Sequence, residues 1–305
     1  MIKRVCATTA DSAALQNLGR GGCLSVNPFK AKKGVIFTSD SFSFDDAEDF
    51  AVKANWVAGI KAGSIFPMPT LNTYEDTSLE ATYNESETQK RTITRQGEYR
   101  FNYAWNLPFD VHKKLQSFRN AAVRAFIVDE DGNIYGTNDN GAIKGFSISM
   151  INPLKIQFVG ASADAPSLSR VEVDYNDQRE WNVYGAFVPM AWSALTLEPL
   201  TDVNLEVVGT PLATSIVIRV YSSSGLAADG TVNKLGVAGI VVGDFTVAVG
   251  TVPSGMTDNG DGTYTFAGTA MTTGTINLKA PAAMTSDFGD FYIISTGAAT
   301  VTIAT

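Results

Sequence analysis

The sequence predicts a mainly β protein in two modules. An N-terminal antiparallel β-sandwich or barrel with flanking helices spans residues 1–199, and a second β-sandwich spans residues 200–305. Three observations carry that prediction. Short segments rich in Thr, Tyr and Val recur along the chain, separated by Asn-Gly and Asp-Gly pairs that tolerate the positive φ of tight hairpins. Helical spacing shows in only two places. Near Pro199 the texture changes: charge falls while Thr, Ala, Gly and Val rise.

Residues 1–40 mix Gly, Ala and basic residues around LGRGGC at 18–23. No GxxxxGK[ST] is present and no strand precedes the run, so a phosphate loop is excluded in favour of a flexible or partner-dependent N-terminal arm. SFSFDDAEDFAVKANWVAGIKAG, 41–63, reads as one helix. Asp45 is placed to cap it, Glu48 follows three residues later, and Asp46 and Asp49 add charge that suits a helix N-terminus. Ala47, Phe50, Ala54, Val57 and Ala58 follow helical spacing, and Gly63 offers a stop. The same acidic cluster is a cation site on a second reading, but capping explains it without a ligand.

Residues 72–96, NTYEDTSLEATYNESETQKRTITRQ, contain no Gly or Pro and carry the Thr and Tyr of extended structure. Leu79 and Ile93 are the large aliphatics, too few to bury the segment in its own core. It is either a polar hairpin arm ordered by pairing with another chain or a solvated loop. EYRFNYAWNL then reads as a strand with Tyr99, Phe101, Tyr103 and Trp105 on one face. Pro108 opens a short helix over 108–122, with Val111, Leu115, Phe118 and Ala122 in helical register. His112, the sole histidine, lies beside that stripe next to Lys113 and Lys114 and is expected at the surface.

Residues 123–151 form a meander turned at Asp131-Gly132 and Asn140-Gly141. Its DEDGN is not a calcium loop: counted from Asp129, position six is Ile134 and position twelve Asn140, where that loop needs Gly and Glu. LKIQFVG and RVEVDYN add two strands across the polar loop ASADAPSLS. VPMAWSALTLEPLTD closes the first module and opens the second.

Beyond residue 200 seven short strands are expected in about 105 residues: VNLEVVG, SIVIRVYSS, GDFTVAVG, GTYTFAG, TINLKA, DFYIIST and ATVTIAT. Seven strands with turns between them fit an antiparallel sandwich. MTDNGDGTYTF at 256–266 sets two carboxylates beside two glycines. Counted from Asp258, positions three and five are Gly260 and Gly262, which offer no side-chain oxygen, so DNGDG is a turn. Tyr264 and Phe266 then share one face, as core residues.

The phrase MTDNGDGTYTFAG resembles the D-x-GDGTYT-hydrophobic signature of bacterial and phage Ig-like modules, which implies an Ig-like sandwich over 200–305 with an adhesive or spacer role. Residues 1–199 resemble the tail tube proteins of tailed bacteriophages. The EYRFNYAW strand, the 108–122 helix, the meander and the 72–96 arm would fill the places of that fold, a sandwich or barrel flanked by a helix whose hairpin and arms touch neighbouring subunits. The resemblance implies homo-oligomeric rings, hexameric in the family's manner, together with other phage tail or head proteins as partners, DNA passing through a lumen without specific binding, and a place in a virion assembled in the host cytoplasm. It leaves room for host-surface glycan binding through 200–305.

Composition agrees with this class and excludes others. Net charge is −8, with 20 basic and 23 acidic residues before Leu200 and three basic and eight acidic after it. A nucleic-acid clamp needs a surplus of Lys and Arg. A channel wall that DNA must not stick to suits carboxylates such as Glu75, Asp76, Glu80, Glu85 and Glu87. Cys6 and Cys23 lack the spacing of a zinc site and either pair or stay as free thiols. No stretch has the roughly 18 apolar residues of a membrane span, and neither a signal peptide nor an anchor is expected.

The sequence nominates no catalytic, cofactor-binding or metal-ligating residue, and no enzyme is expected: His112 lacks partners and GxSxG is absent. Besides the tail tube reading stand two others. One is a capsid decoration, connector or baseplate protein; the other is a non-viral glycan-binding adhesin, for which Trp181 and Trp192 are the candidate sugar-stacking rings.

Overall fold

A computed structural model describes residues 31–85, 91–95, 97–139, 141–151, 156–161, 167–175, 177–226, 231–249, 255–286, 288 and 291–303. The LGRGGC run, Cys6, Cys23 and Glu87 lie outside them. The protein is mainly β, and the chain divides into two compact units at Leu197 and Glu198.

The first unit begins with β1 (Lys32–Ser39), followed by α1 (Ala47–Ala51) and α2 (Lys53–Lys61). Then come β2 (Ile65–Pro67), β3 (Thr73–Asp76), β4 (Thr82–Glu85), β5 (Arg91–Arg95), β6 (Arg100–Trp105) and α3 (Phe109–Leu115). The meander supplies β7 (Val123–Asp129), β8 (Ile134–Asp139), β9 (Ala142–Lys144) and β10 (Phe146–Ile151). The unit closes with β11 (Gln157–Val159), β12 (Leu168–Tyr175), α4 (Gln178–Asn182) and β13 (Gly185–Val188). The main sheet runs β13-β8-β7-β10-β12-β6-β3, with β1 also on β7, β2 on β1, β9 on β8 and β11 on β12.

This sheet curls round its own contents. Val35 and Phe37 of β1, Phe101 and Tyr103 of β6, Ala125 and Ile127 of β7 and Val171 and Val173 of β12 all join one cluster, which Leu115 of α3 also enters. Period-two alternation sends Phe126, between Ala125 and Ile127, to the opposite face. There it meets the rings of Trp56 at 5.1 Å, Phe50 at 5.5 Å and Phe44 at 6.4 Å. β7 is therefore covered on both faces, by α3 on one side and α1–α2 on the other.

Four local expectations need correction. The arm expected over residues 1–40 ends in core: β1 pairs with β7 from Lys32 to Ser39, and Val35, Ile36 and Phe37 are buried. The single helix of 41–63 is two, broken at the extended Val52 (φ −90°, ψ 115°), and its cap is Asp46 rather than Asp45. Asp46 Oδ1 accepts from the Glu48 and Asp49 amides at 2.8 Å each. In an unbroken helix Phe50 and Trp56 would stand about 120° apart; the break lets both face Phe126, with Trp56 Nε1 donating to the Phe50 carbonyl at 2.7 Å. Ala54 and Ala58, expected on the apolar stripe, are exposed as a result. Gly63 does end α2, at φ +72°. Finally, the 108–122 helix is α3 followed by a 3-10 turn over Gln116–Asn120, and α4 was not anticipated.

The second unit contains β14 (Leu200–Leu212), β15 (Ser215–Leu226), β16 (Val232–Gly236), β17 (Phe245–Ala248), β18 (Gly255–Asp258), β19 (Thr263–Ala267), β20 (Gly274–Leu278), β21 (Tyr292–Ser295) and β22 (Ala299–Val301). One sheet is ordered β18-β19-β15-β14-β21 with β16 beside β15; the other is β17-β20-β22. Their inward residues, among them Val203, Ile218, Phe245, Tyr264, Phe266 and Ile276, make a separate core. β16 and β18 are additional to the seven expected strands. The sheet is also not wholly antiparallel: β14 runs parallel to β21 from Leu200 to Val203, then antiparallel to β15 from Asn204 on.

Trp56→Ala removes a fully buried ring and its hydrogen bond. A loss of about 3–5 kcal/mol is expected from equilibrium urea unfolding, with the far-UV spectrum of the folded variant unchanged.

Candidate functional site

The part of the first unit least explained by its own packing is the β4–β5 hairpin. Within the 72–96 stretch, Thr73–Asp76 is no arm: β3 pairs with β6 at the edge of the main sheet. A bridge between Leu79 and Glu98 follows. Beyond it, β4 and β5 pair only with each other among the described residues, as a two-stranded sheet. Tyr83 is 60% exposed and Ile93 52%, and Leu79 at the base is also exposed. Thr82 and Thr94 hydroxyls lie 3.1 Å apart across the strands. An isolated two-stranded ribbon is marginal in water, so a ribbon carrying uncovered Tyr and Ile suits burial against something outside its own unit.

The strongest electrostatic perturbation lies inside the curl of the sheet. Lys32 Nζ sits 4.3 Å from the ring centroids of both Tyr74 and Phe101 and 5.8 Å from that of Trp181, and it hydrogen-bonds the Tyr74 hydroxyl. Burial among these rings lowers the amine's pKa to about 8, against the opposing pull of Asp76. Burial in turn raises the Tyr74 phenol, helped by Asp76 and Tyr175. Deeper in, the Tyr103 and Tyr175 hydroxyls are 2.7 Å apart, and burial holds both protonated well above the ordinary tyrosine range. Trp181 lies flat on Phe146, centroids 3.8 Å apart. This is a cation–π pocket filled by the chain's own lysine.

The sequence placed His112 at the surface, and that is corrected: it is only 6% exposed. α3 turns it inward, where Nδ1 meets Ser169 Oγ of β12 at 3.1 Å and the ring lies against Phe109 and Phe158. Burial lowers its pKa. A Ser–His contact invites a hydrolytic reading, but among the described residues no carboxylate bonds the ring, and Ser169 is fully buried within a strand. The pair fastens α3 to the sheet.

Asp129, first residue of DEDGN, is buried and spends its oxygens on the Asp131 and Asn133 amides, Asn133 Nδ2 and the Tyr135 hydroxyl. Trp192 is half-buried, its Nε1 donating to the Ala51 carbonyl at 2.9 Å. Trp181, the other candidate ring, is also half-buried and has one face stacked on Phe146. No group of three or more His, Cys, Asp or Glu among the described residues is arranged for a metal.

In the second unit, DNGDG joins β18 to β19, with Gly260 at φ +81° and Gly262 at φ +84°. Its carboxylates serve the fold. Asp258 accepts from the Gly260 and Gly239 amides, and Asp261 accepts from the Thr263 amide and hydroxyl. The Tyr264 hydroxyl accepts from the Ile240 amide at 3.1 Å and donates to the Val237 carbonyl at 2.7 Å, pinning the loop before β17. The missed counterpart is Asp244, fully buried. Burial pushes its carboxyl up, but bonds from the side chains and amides of Ser286 and Thr285 more than offset this and leave it below the ordinary value.

No protein-family model matches the chain, and no curated protein sequence matches it significantly.

Two titrations check these assignments. Because Lys32 binds its proton less tightly folded than unfolded, stability should rise as pH climbs from about 8 toward 10; above that, the tyrosines held protonated reverse the trend. A Lys32 side-chain NMR titration should turn over near pH 8, and Lys32→Met should flatten the stability rise. A midpoint above 10 would refute the assignment. Asp244, with its lowered pKa, contributes stability that is present above the usual carboxylate range and is lost as pH falls below it. Asp244→Asn should cost roughly 2–3 kcal/mol at neutral pH in urea unfolding and remove that part of the acid sensitivity.

Proposed function

We propose that this chain is a structural subunit of a tailed-phage virion, specifically a tail tube subunit that assembles with copies of itself into stacked rings, hexameric by the resemblance. The observation that carries the reading is the β4–β5 hairpin, a ribbon of the first unit that exposes Tyr83, Ile93 and Leu79 and shares strands with nothing else among the described residues. A ribbon of this kind gains by adding its backbone edges and apolar side chains to a neighbouring subunit. Permanent assemblies bury about 2,000 Å² or more, which the arm and the open sheet edges at β3 and β13 would supply together.

The remaining features are compatible with that role. Glu75, Asp76, Glu80 and Glu85 are exposed and would suit a wall past which DNA slides, since a net charge of −8 opposes phosphate binding. The Ig-like unit would decorate the assembly and is the part open to host-surface glycans. Partners would be further copies and other tail or head proteins, and the site of action would be the virion.

Negative-stain microscopy of the purified chain tests this. Rings or tubes of constant diameter are expected; isolated trimers or hexamers would point instead to a decoration, connector or baseplate part, and a monomer at every concentration would end the proposal. Replacing residues 82–95 by a short Gly-Ser linker should leave the thermal unfolding of both units within a few degrees of the parent while abolishing the rings. Tubes that survive the deletion would remove the hairpin from the argument.

A further inference from the structure

Two patches of the first unit complement each other without touching in one copy. On α3, Phe109 is 53% exposed and meets Phe158 of β11, also exposed, edge to face at 5.3 Å. Lys113 and Lys114 stand exposed on the next turn, and Lys113 Nζ lies 4.9 Å from the Phe109 ring centroid. The result is an aromatic knob with cations beside it, in a chain of net charge −8. The second patch is an open depression of about 410 Å³ beside α1 and α2. Phe42, Phe44, Ala58 and Gly59 contribute to its apolar lining; its charged lining residues are Asp45 and Asp49, and no cation lines it. Asp46 and Glu48, exposed on the same turn, extend the negative field.

The depression has room for an aromatic side chain, since a cavity of about 150 Å³ accepts benzene. The placement of the two patches matters more. Phe126 of β7 packs on the α1–α2 side, whereas Ala125 and Ile127 pack on the side that receives Leu115 of α3. Knob and depression thus belong to opposite faces of one sheet, and a copy cannot fill its own depression with its own knob. A surface that fits a different surface of an identical molecule makes a head-to-tail contact, which closes into a ring or runs on as a filament.

We infer that the Phe109–Lys113–Lys114 knob of one copy seats in the Asp45–Asp49 depression of the next, as a head-to-tail contact between subunits. The inference rests on the self-assembly proposed above and adds the residues and polarity of one interface. It commits to a second copy of this chain as occupant, on the grounds of charge complementarity and of a depression large enough for a ring. Apolar contact would supply affinity and the rim charges would supply register and partner choice.

Charge exchange tests it. The Lys113→Glu/Lys114→Glu variant turns the knob acidic, and the Asp45→Lys/Asp49→Lys variant turns the depression basic; Asp46, the helix cap, is left intact in both. Each variant alone sets like charges together, so in sedimentation velocity each is expected to remain a protomer at concentrations where the parent associates. Mixed one to one, acid knob meets basic depression and basic knob meets acid depression, and association should return, as it should in the quadruple variant. Circular dichroism and thermal unfolding check that both variants fold. If both fold and associate like the parent, this interface is overturned while self-assembly stands. If both fail to associate and the mixture also fails, the pairing is overturned. A parent that never associates overturns this inference together with the proposed function.

Discussion

The architecture of the first unit depends on one strand having no solvent face. From Val123 to Asp129 the side chains of β7 alternate between two cores, and strands buried on both faces must find apolar cover twice. One cover is the curl of the sheet itself, with α3 packed against it. The other is α1–α2, whose mid-course break exists to aim Phe50 and Trp56 at a single ring, Phe126. A near-continuous apolar run in β7 therefore dictates helices on both sides of the sheet, and the surfaces those helices turn outward inherit their separation from it.

The same economy governs the polar groups. Three buried carboxylates have donors close at hand: Asp129 in the β7–β8 turn, Asp244 between two loops, and Asp174 with Arg100, whose pKa that hydrogen bond raises. Glu180 of α4 joins Arg124 of β7 to the Ser147 amide and hydroxyl of β10. Such networks specify register and helix position.

Much of this was legible in the sequence because period-two alternation and Asn-Gly or Asp-Gly turns are local signals. They located β6, the β7–β10 meander and the DNGDG hairpin with Tyr264 and Phe266 inward. The failures share a cause: tertiary contact overrode a local pattern. The helix at 41–63 looked continuous because spacing does not reveal that two aromatics six residues apart share one target. His112 read as surface because its neighbours are lysines, yet α3 rotates it onto Ser169. β1 was hidden by flanking Gly and Lys, although VIF within it is a short apolar run. α4 had its signal, Asp177 followed three residues on by Glu180, but five residues are too few to show a helical period. β16 is exposed at every position and offers no alternation to read. Lys32 could not have been found: its aromatic surroundings come from β3, β6 and α4, far apart in the chain.

β16 carries one more consequence. It is an outer strand of the second unit, with Val232 and Leu235 exposed, and its second backbone edge, unpaired among the described residues, would template any identical edge brought alongside. Lys234, between them, salt-bridges Glu206 and lies 4.9 Å from the Tyr221 ring centroid, so an ion pair is fixed on this rim. That ion pair, beside a strand exposed at all five positions, keeps the rim hydrated and opposes cross-β pairing with an identical edge.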